Sequence, residues 1–115
     1  MEKIEIIKTG RVEFEVKFCG KRKFLLGFYI PSEKRSVGFQ HAKMISLNNR
    51  SFFIATRWLW KDGYREELAS LLRLCGYNVS KSQLEELYRE ADRYAEGKVK
   101  KFTKMLKNWG LPYEI

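Results

Sequence analysis

Apolar and charged residues alternate strictly along Arg11-Val-Glu-Phe-Glu-Val-Lys-Phe-Cys19. That period of two predicts a half-buried strand, with Val12, Phe14, Val16 and Phe18 on one face and Glu13, Glu15 and Lys17 on the other. After Gly20-Lys21-Arg22 a second apolar segment, Lys23–Ile30, turns back. A two-residue turn would set Phe18 opposite Lys23 and mix the faces. A three-residue loop sets Phe18 opposite Phe24, Val16 opposite Leu26, Phe14 opposite Phe28 and Val12 opposite Ile30, so this register is expected. Leu25 and Tyr29 fall on the other face, which marks a central strand, and Lys3–Lys8 predicts an outer one.

Pro31–Ser36 carries loop chemistry. Residues 37–60 read in two ways. One is a pair of strands around Asn48-Asn49, which tolerates a tight turn; the other makes 40–47 a short helix. The strands are preferred because Ser51–Ala55 is aromatic and β-branched. From Asp62 the period lengthens. Asp62 can cap a helix with Glu66 and Glu67 in its first turn and Leu68, Leu71, Leu72 and Cys75 in one stripe, stopped by Gly76. Ser80 or Ser82 opens a last helix, with Ser82-Gln-Leu-Glu85 fitting a capping box. Its apolar series Leu84, Leu87, Tyr88, Ala91, Ala95, Val99, Phe102, Leu106, Trp109 keeps helical spacing through Gly97, and Phe102, Leu106 and Trp109 are expected against the sheet. The pattern therefore predicts an α+β domain: an N-terminal antiparallel meander of three to five strands packed against two C-terminal helices, the last one long.

Composition fits this picture. The chain has 115 residues, 44% of them hydrophobic and 15% aromatic, enough for one domain with a real core. No apolar run can span a bilayer, and the Met-Glu-Lys-Ile-Glu start does not read as a secretory signal. Cys19 and Cys75 form no Cys-x-x-Cys pair, and with a single His41 they complete no zinc set, so free thiols in the cytoplasm are expected. The 12 Glu against 2 Asp and 2 Gln resemble the composition of thermophilic proteins.

Charge changes the picture more. Of the formal net charge of +9, residues 1–61 hold nearly all, with 13 Lys or Arg against 5 Glu; residues 62–115 are almost balanced. A positive field confined to the sheet half points to a polyanion. Lys21, Arg22 and Lys23 sit at one hairpin tip, Lys34 and Arg35 at a loop near the opposite end, and Lys43 and Arg50 farther along. Arg57-Trp58-Leu-Trp60-Lys61 interleaves rings with cations, the composition of a segment that stacks bases while holding phosphates, although two Trp in so apolar a chain also suit a core. The late lysines of the last helix complement its macrodipole and need no ligand.

Glu13, Glu15 and Lys17 share one strand face and could hold a divalent metal. Glu15-Val-Lys17 resembles the Glu-x-Lys element of restriction-type nucleases over three residues. That pattern also has an Asp on a preceding strand, and Asp occurs here only at 62 and 92. No phosphate-binding glycine loop or nucleophile elbow occurs. The leading expectation is a non-enzymatic binder of DNA or RNA without cofactor or metal. The alternatives are an interaction module, for an acidic protein or a second copy of itself, and a metal-dependent nuclease.

Overall fold

The structure, a computed structural model, describes the backbone of residues 2–110 and their side chains except those of 98–103, 105 and 106. Strands β1 (Glu2–Thr9), β2 (Val12–Cys19), β3 (Arg22–Ile30) and β4 (Arg35–Met44) form one antiparallel sheet in the order β1-β2-β3-β4. Helices α1 (Arg50–Lys61), α2 (Arg65–Leu74) and α3 (Lys81–Asn108) follow. This is the expected α+β meander, with one helix more than the pattern predicts.

The extra helix is α1, which occupies the segment read as a second strand. Asn49 does not turn a hairpin; its side chain accepts from the Ser51 N–H at 3.0 Å and caps the helix. The buried residues of α1 are Phe52, Phe53, Thr56, Leu59 and Trp60. Their spacing of one, four, seven and eight is a helical stripe, and it overrides the β propensity of the individual residues. The first part of the 37–60 segment is strand, as preferred. Asp62 closes α1 rather than opening α2, donating its N–H to Trp58 O. The capping box also sits elsewhere: Ser80 Oγ accepts from Gln83 N–H, and Gln83 Oε1 accepts from Ser80 N–H.

The β2–β3 register is corrected too. The turn has two residues, Gly20-Lys21, with Gly20 at φ 60°, so Cys19 faces Arg22, Phe18 faces Lys23 and Val16 faces Leu25. Leu26 is then left unpaired as a β-bulge, after which Glu15 faces Gly27 and Phe14 faces Phe28 as expected. The bulge resets the alternation by one residue, so the favoured tight turn and the burial of both Leu25 and Phe28 coexist. A Cβ on Gly27 would collide with the Val37 carbonyl oxygen, so the close approach of β4 requires glycine there. In β4, residues 39–42 stand against Leu26 alone, and the Phe39 ring returns to Phe28 at 6.0 Å.

One face of the sheet is buried. Val12, Phe14, Val16, Leu25, Phe28 and Ile30 pack under α1 and α2 with Ile45, Phe52, Leu59, Leu68, Leu71 and Leu72. At about 2 kcal/mol for each fully buried large side chain, this layer dominates the folding free energy. Helix α3 packs on α1 rather than on the sheet. Tyr88 stacks on Trp60 at 4.6 Å and shares a 2.9 Å hydrogen bond with Thr56 Oγ1, and burial pushes its hydroxyl pKa upward. Trp109, expected against the sheet, is instead 64% exposed. Phe102 and Leu106 lie outside the described side chains. Cys19 and Cys75 are free thiols.

Candidate nucleic-acid interface

The antiparallel meander gives the sheet two ends, and it distributes the candidate cations between them. At the first end lie the Gly20-Lys21 turn and the close of β4. Arg22 stands opposite Cys19, Lys23 opposite Phe18, and the Lys23 carbonyl accepts from the Ile45 N–H at 2.7 Å. Lys43 pairs with Leu25, two residues from Lys23, so Lys23 and Lys43 are diagonal neighbours on the helix-facing side. Alternation puts Arg22 on the opposite face and leaves Lys21 exposed at the tip. Lys21, Arg22, Lys23 and Lys43 thus surround one end of the hairpin. Among the described residues none of the four is in an ion pair. Glu2 is the acid at this end, and it accepts from Cys19 Sγ at 3.7 Å.

The other end is organised around an acid. Glu67 is 5% exposed, and Arg11 grips both its oxygens: Nε to Oε2 at 2.9 Å and Nη2 to Oε1 at 3.1 Å. The Arg11 backbone N–H adds a bond to Oε2 at 2.9 Å, and Thr9 Oγ1 donates to the Glu67 carbonyl. These bonds, led by the one from the Arg11 side chain, hold the Glu67 carboxyl below its ordinary pKa despite burial. Arg11 also donates to the Gly63 carbonyl and lies over the Tyr64 ring, whose hydroxyl donates to Glu33 at 2.6 Å. The network ties the β1–β2 turn, the β3–β4 connection and the start of α2 together. Lys34 and Arg35 stand beside it: Lys34 is exposed at φ 49°, and Arg35 lies over the Trp58 ring at 4.2 Å. The sequence shows Glu67 only as a first-turn helix acid. Gly10-Arg11 as a turn 56 residues earlier gives no sign that it ends at that carboxylate.

The cations of α1 are paired with acids of α3. Arg50 pairs with Glu90 at 3.5 Å, and both Arg57 and Lys61 reach Asp92, at 3.9 and 2.7 Å. Trp58 and Trp60 form no stacking platform. Trp60 is 6% exposed, stacked on Tyr88 with Arg65 over its ring, and Trp58 rests on Phe28 under Arg35. Both belong to the packing. The structure therefore brings four of the candidate residues together, Lys21, Arg22, Lys23 and Lys43. It leaves Lys34 and Arg35 at the far end and binds Arg50, Arg57 and Lys61 to acids of α3.

Glu13, Glu15 and Lys17 share the uncovered sheet face, where Glu13 meets Lys8 at 3.9 Å and Lys17 lies over the Phe24 ring. No group of three His, Cys, Asp or Glu that could hold a metal occurs among the described residues. Within them no helix is long and apolar enough to cross a membrane.

No family model, curated protein or solved structure matches this chain. Its functional reading therefore rests on the geometry alone.

Proposed function

We propose that this protein binds nucleic acid without catalysis, contacting the phosphate backbone through the basic end of its sheet. The observation that carries the reading is the gathering of Lys21, Arg22, Lys23 and Lys43 around one hairpin tip with no acid paired to them among the described residues, while the cations of α1 are neutralised by α3. Flexible cations on a protruding turn bind phosphates through charge and released counterions, and they carry little sequence information. Trp58 and Trp60 are packed away, so neither offers its ring to a base in this contact. Lys34 and Arg35 lie roughly 25–30 Å away along β3, too far to touch the same phosphates.

The test is a binding titration against duplex DNA, single-stranded DNA and RNA at low salt. Four phosphate contacts predict a log–log salt slope of about −3 to −4, so affinity falls about 10²-fold between roughly 50 and 200 mM salt. Absence of binding to all three at the lower salt refutes the reading.

A further inference from the structure

The two edges of the sheet differ. Strand β4 is broken by its bulge at 39–42, a common way to blunt an edge, whereas β1 pairs with β2 over eight consecutive residues without interruption and contains no proline. Large apolar side chains gather beside the unbroken edge. Ile4 is 59% exposed and Ile6 55%, both on the uncovered face, and Leu74 is 64% exposed on α2 in a groove shared with Lys8 and Thr9. These are three of the six large exposed apolar side chains among the described residues, and burying them needs a partner along β1.

We infer that β1 pairs antiparallel with β1 of a second copy of this chain, joining the two sheets into one of eight strands. The two-residue turn at Gly10-Arg11 makes Thr9 and Val12 the hydrogen-bonded closing pair, so Thr9, Ile7, Glu5 and Lys3 bond to β2. The backbone groups of Glu2, Ile4, Ile6 and Lys8 then point outward from the edge. A twofold axis at Glu5 pairs these outward residues among themselves. On the uncovered face, Ile4 meets Ile6 of the second copy and Glu2 meets its Lys8, each contact occurring twice. On the helical side, Lys3, which bonds Glu5 at 2.6 Å within its own strand, lies diagonal to Glu5 of the second copy. The axis also sets Glu5 directly opposite Glu5 of the second copy, a like-charge pair offset by Lys3 of each strand. Two Glu2–Lys8 pairs and two Ile4–Ile6 contacts coincide in this one register, which is what selects a second copy over an unrelated strand.

Sedimentation equilibrium and light scattering on the full chain test this. The expected mass is twice the 13.7 kDa of the chain. Replacing Ile4→Lys and Ile6→Lys together should return the monomer with an unchanged far-ultraviolet circular dichroism spectrum, since both side chains are exposed. In a Cys19→Ser background, Glu5→Cys should form a covalent dimer on mild oxidation, because the axis makes residue 5 a close, non-hydrogen-bonded pair. A wild-type chain that stays monomeric at its highest soluble concentration overturns the inference. So does a dimer that survives Ile4→Lys/Ile6→Lys, or one in which Glu5→Cys fails to cross-link.

Discussion

The two ends of the sheet are built from similar material and handle it oppositely. Each has a two-residue turn opening on glycine, Gly10-Arg11 at one end and Gly20-Lys21 at the other, and each collects cations. At the Gly10 end the cation is consumed by structure: Arg11 chelates Glu67, and the turn is fastened to α2. At the Gly20 end the cations have no acid partner among the described residues, and a Cβ placed on Gly20 would meet nothing within 4 Å. An arginine with a buried carboxylate is part of the fold, while lysines and an arginine on a free tip contribute almost nothing to it. Charge of the second kind is left available for the phosphate contact proposed above.

The comparison breaks most readily at the fastened end. Glu67→Ala removes the acceptor of two side-chain bonds and one backbone bond from Arg11, and should cost on the order of 2–3 kcal/mol in denaturant unfolding while leaving nucleic-acid affinity unchanged. The glycines sharpen it next. Gly10→Ala meets a left-handed backbone at φ 53° and puts its methyl 2.7 Å from Glu67 Oε2, so about 2 kcal/mol or more is expected. Gly20→Ala meets the backbone strain alone and should cost about 1 kcal/mol. Equal losses at the two glycines would show that the ends are not different.

Acid probes the fastened end in the same way. Because the folded-state pKa of Glu67 is depressed, its contribution is fully present above the ordinary glutamate pKa and disappears as pH falls through the lower folded value. Glu67→Gln should flatten the acid limb of the stability–pH curve, measured by urea melts. The smallest stability effect is expected at the Gly20 end: Lys21→Ala, Arg22→Ala and Lys23→Ala combined should change unfolding free energy by no more than about 0.5 kcal/mol.

Much of this contrast could be read in the chain, and the rest could not. The alternation of Val12, Phe14 and Val16 locates the sheet, and the stripe of Leu68, Leu71, Leu72 and Cys75 locates α2, because both follow from local periodicity. Helix α1 was also legible in principle: the spacing of Phe52, Phe53, Thr56, Leu59 and Trp60 is helical, and the aromatic, β-branched composition of Ser51–Ala55 masked it. The bulge at Leu26 has no local mark, since it arises from reconciling a tight turn with burial on both strands. The clustering of Lys21, Arg22 and Lys23 is contiguous and visible. That Lys43 joins them, that Asp92 holds Arg57 and Lys61, and that Glu67 holds Arg11 depend on how distant elements meet, which spacing along a chain does not encode.

The central claim is that the unpaired cations of the Gly20 end bind phosphate. The most direct measurement is the salt dependence of affinity for a duplex and an RNA, compared between the wild-type chain and the Lys21→Ala/Arg22→Ala/Lys23→Ala variant, with Lys34→Ala/Arg35→Ala as the matched control at the other end. The wild-type slope of about −3 to −4 should fall by about one for each cation removed from the tip, with affinity at low salt dropping at least tenfold, while the control stays near wild type. A tip variant that binds as tightly and with the same slope as the wild-type chain would contradict the account.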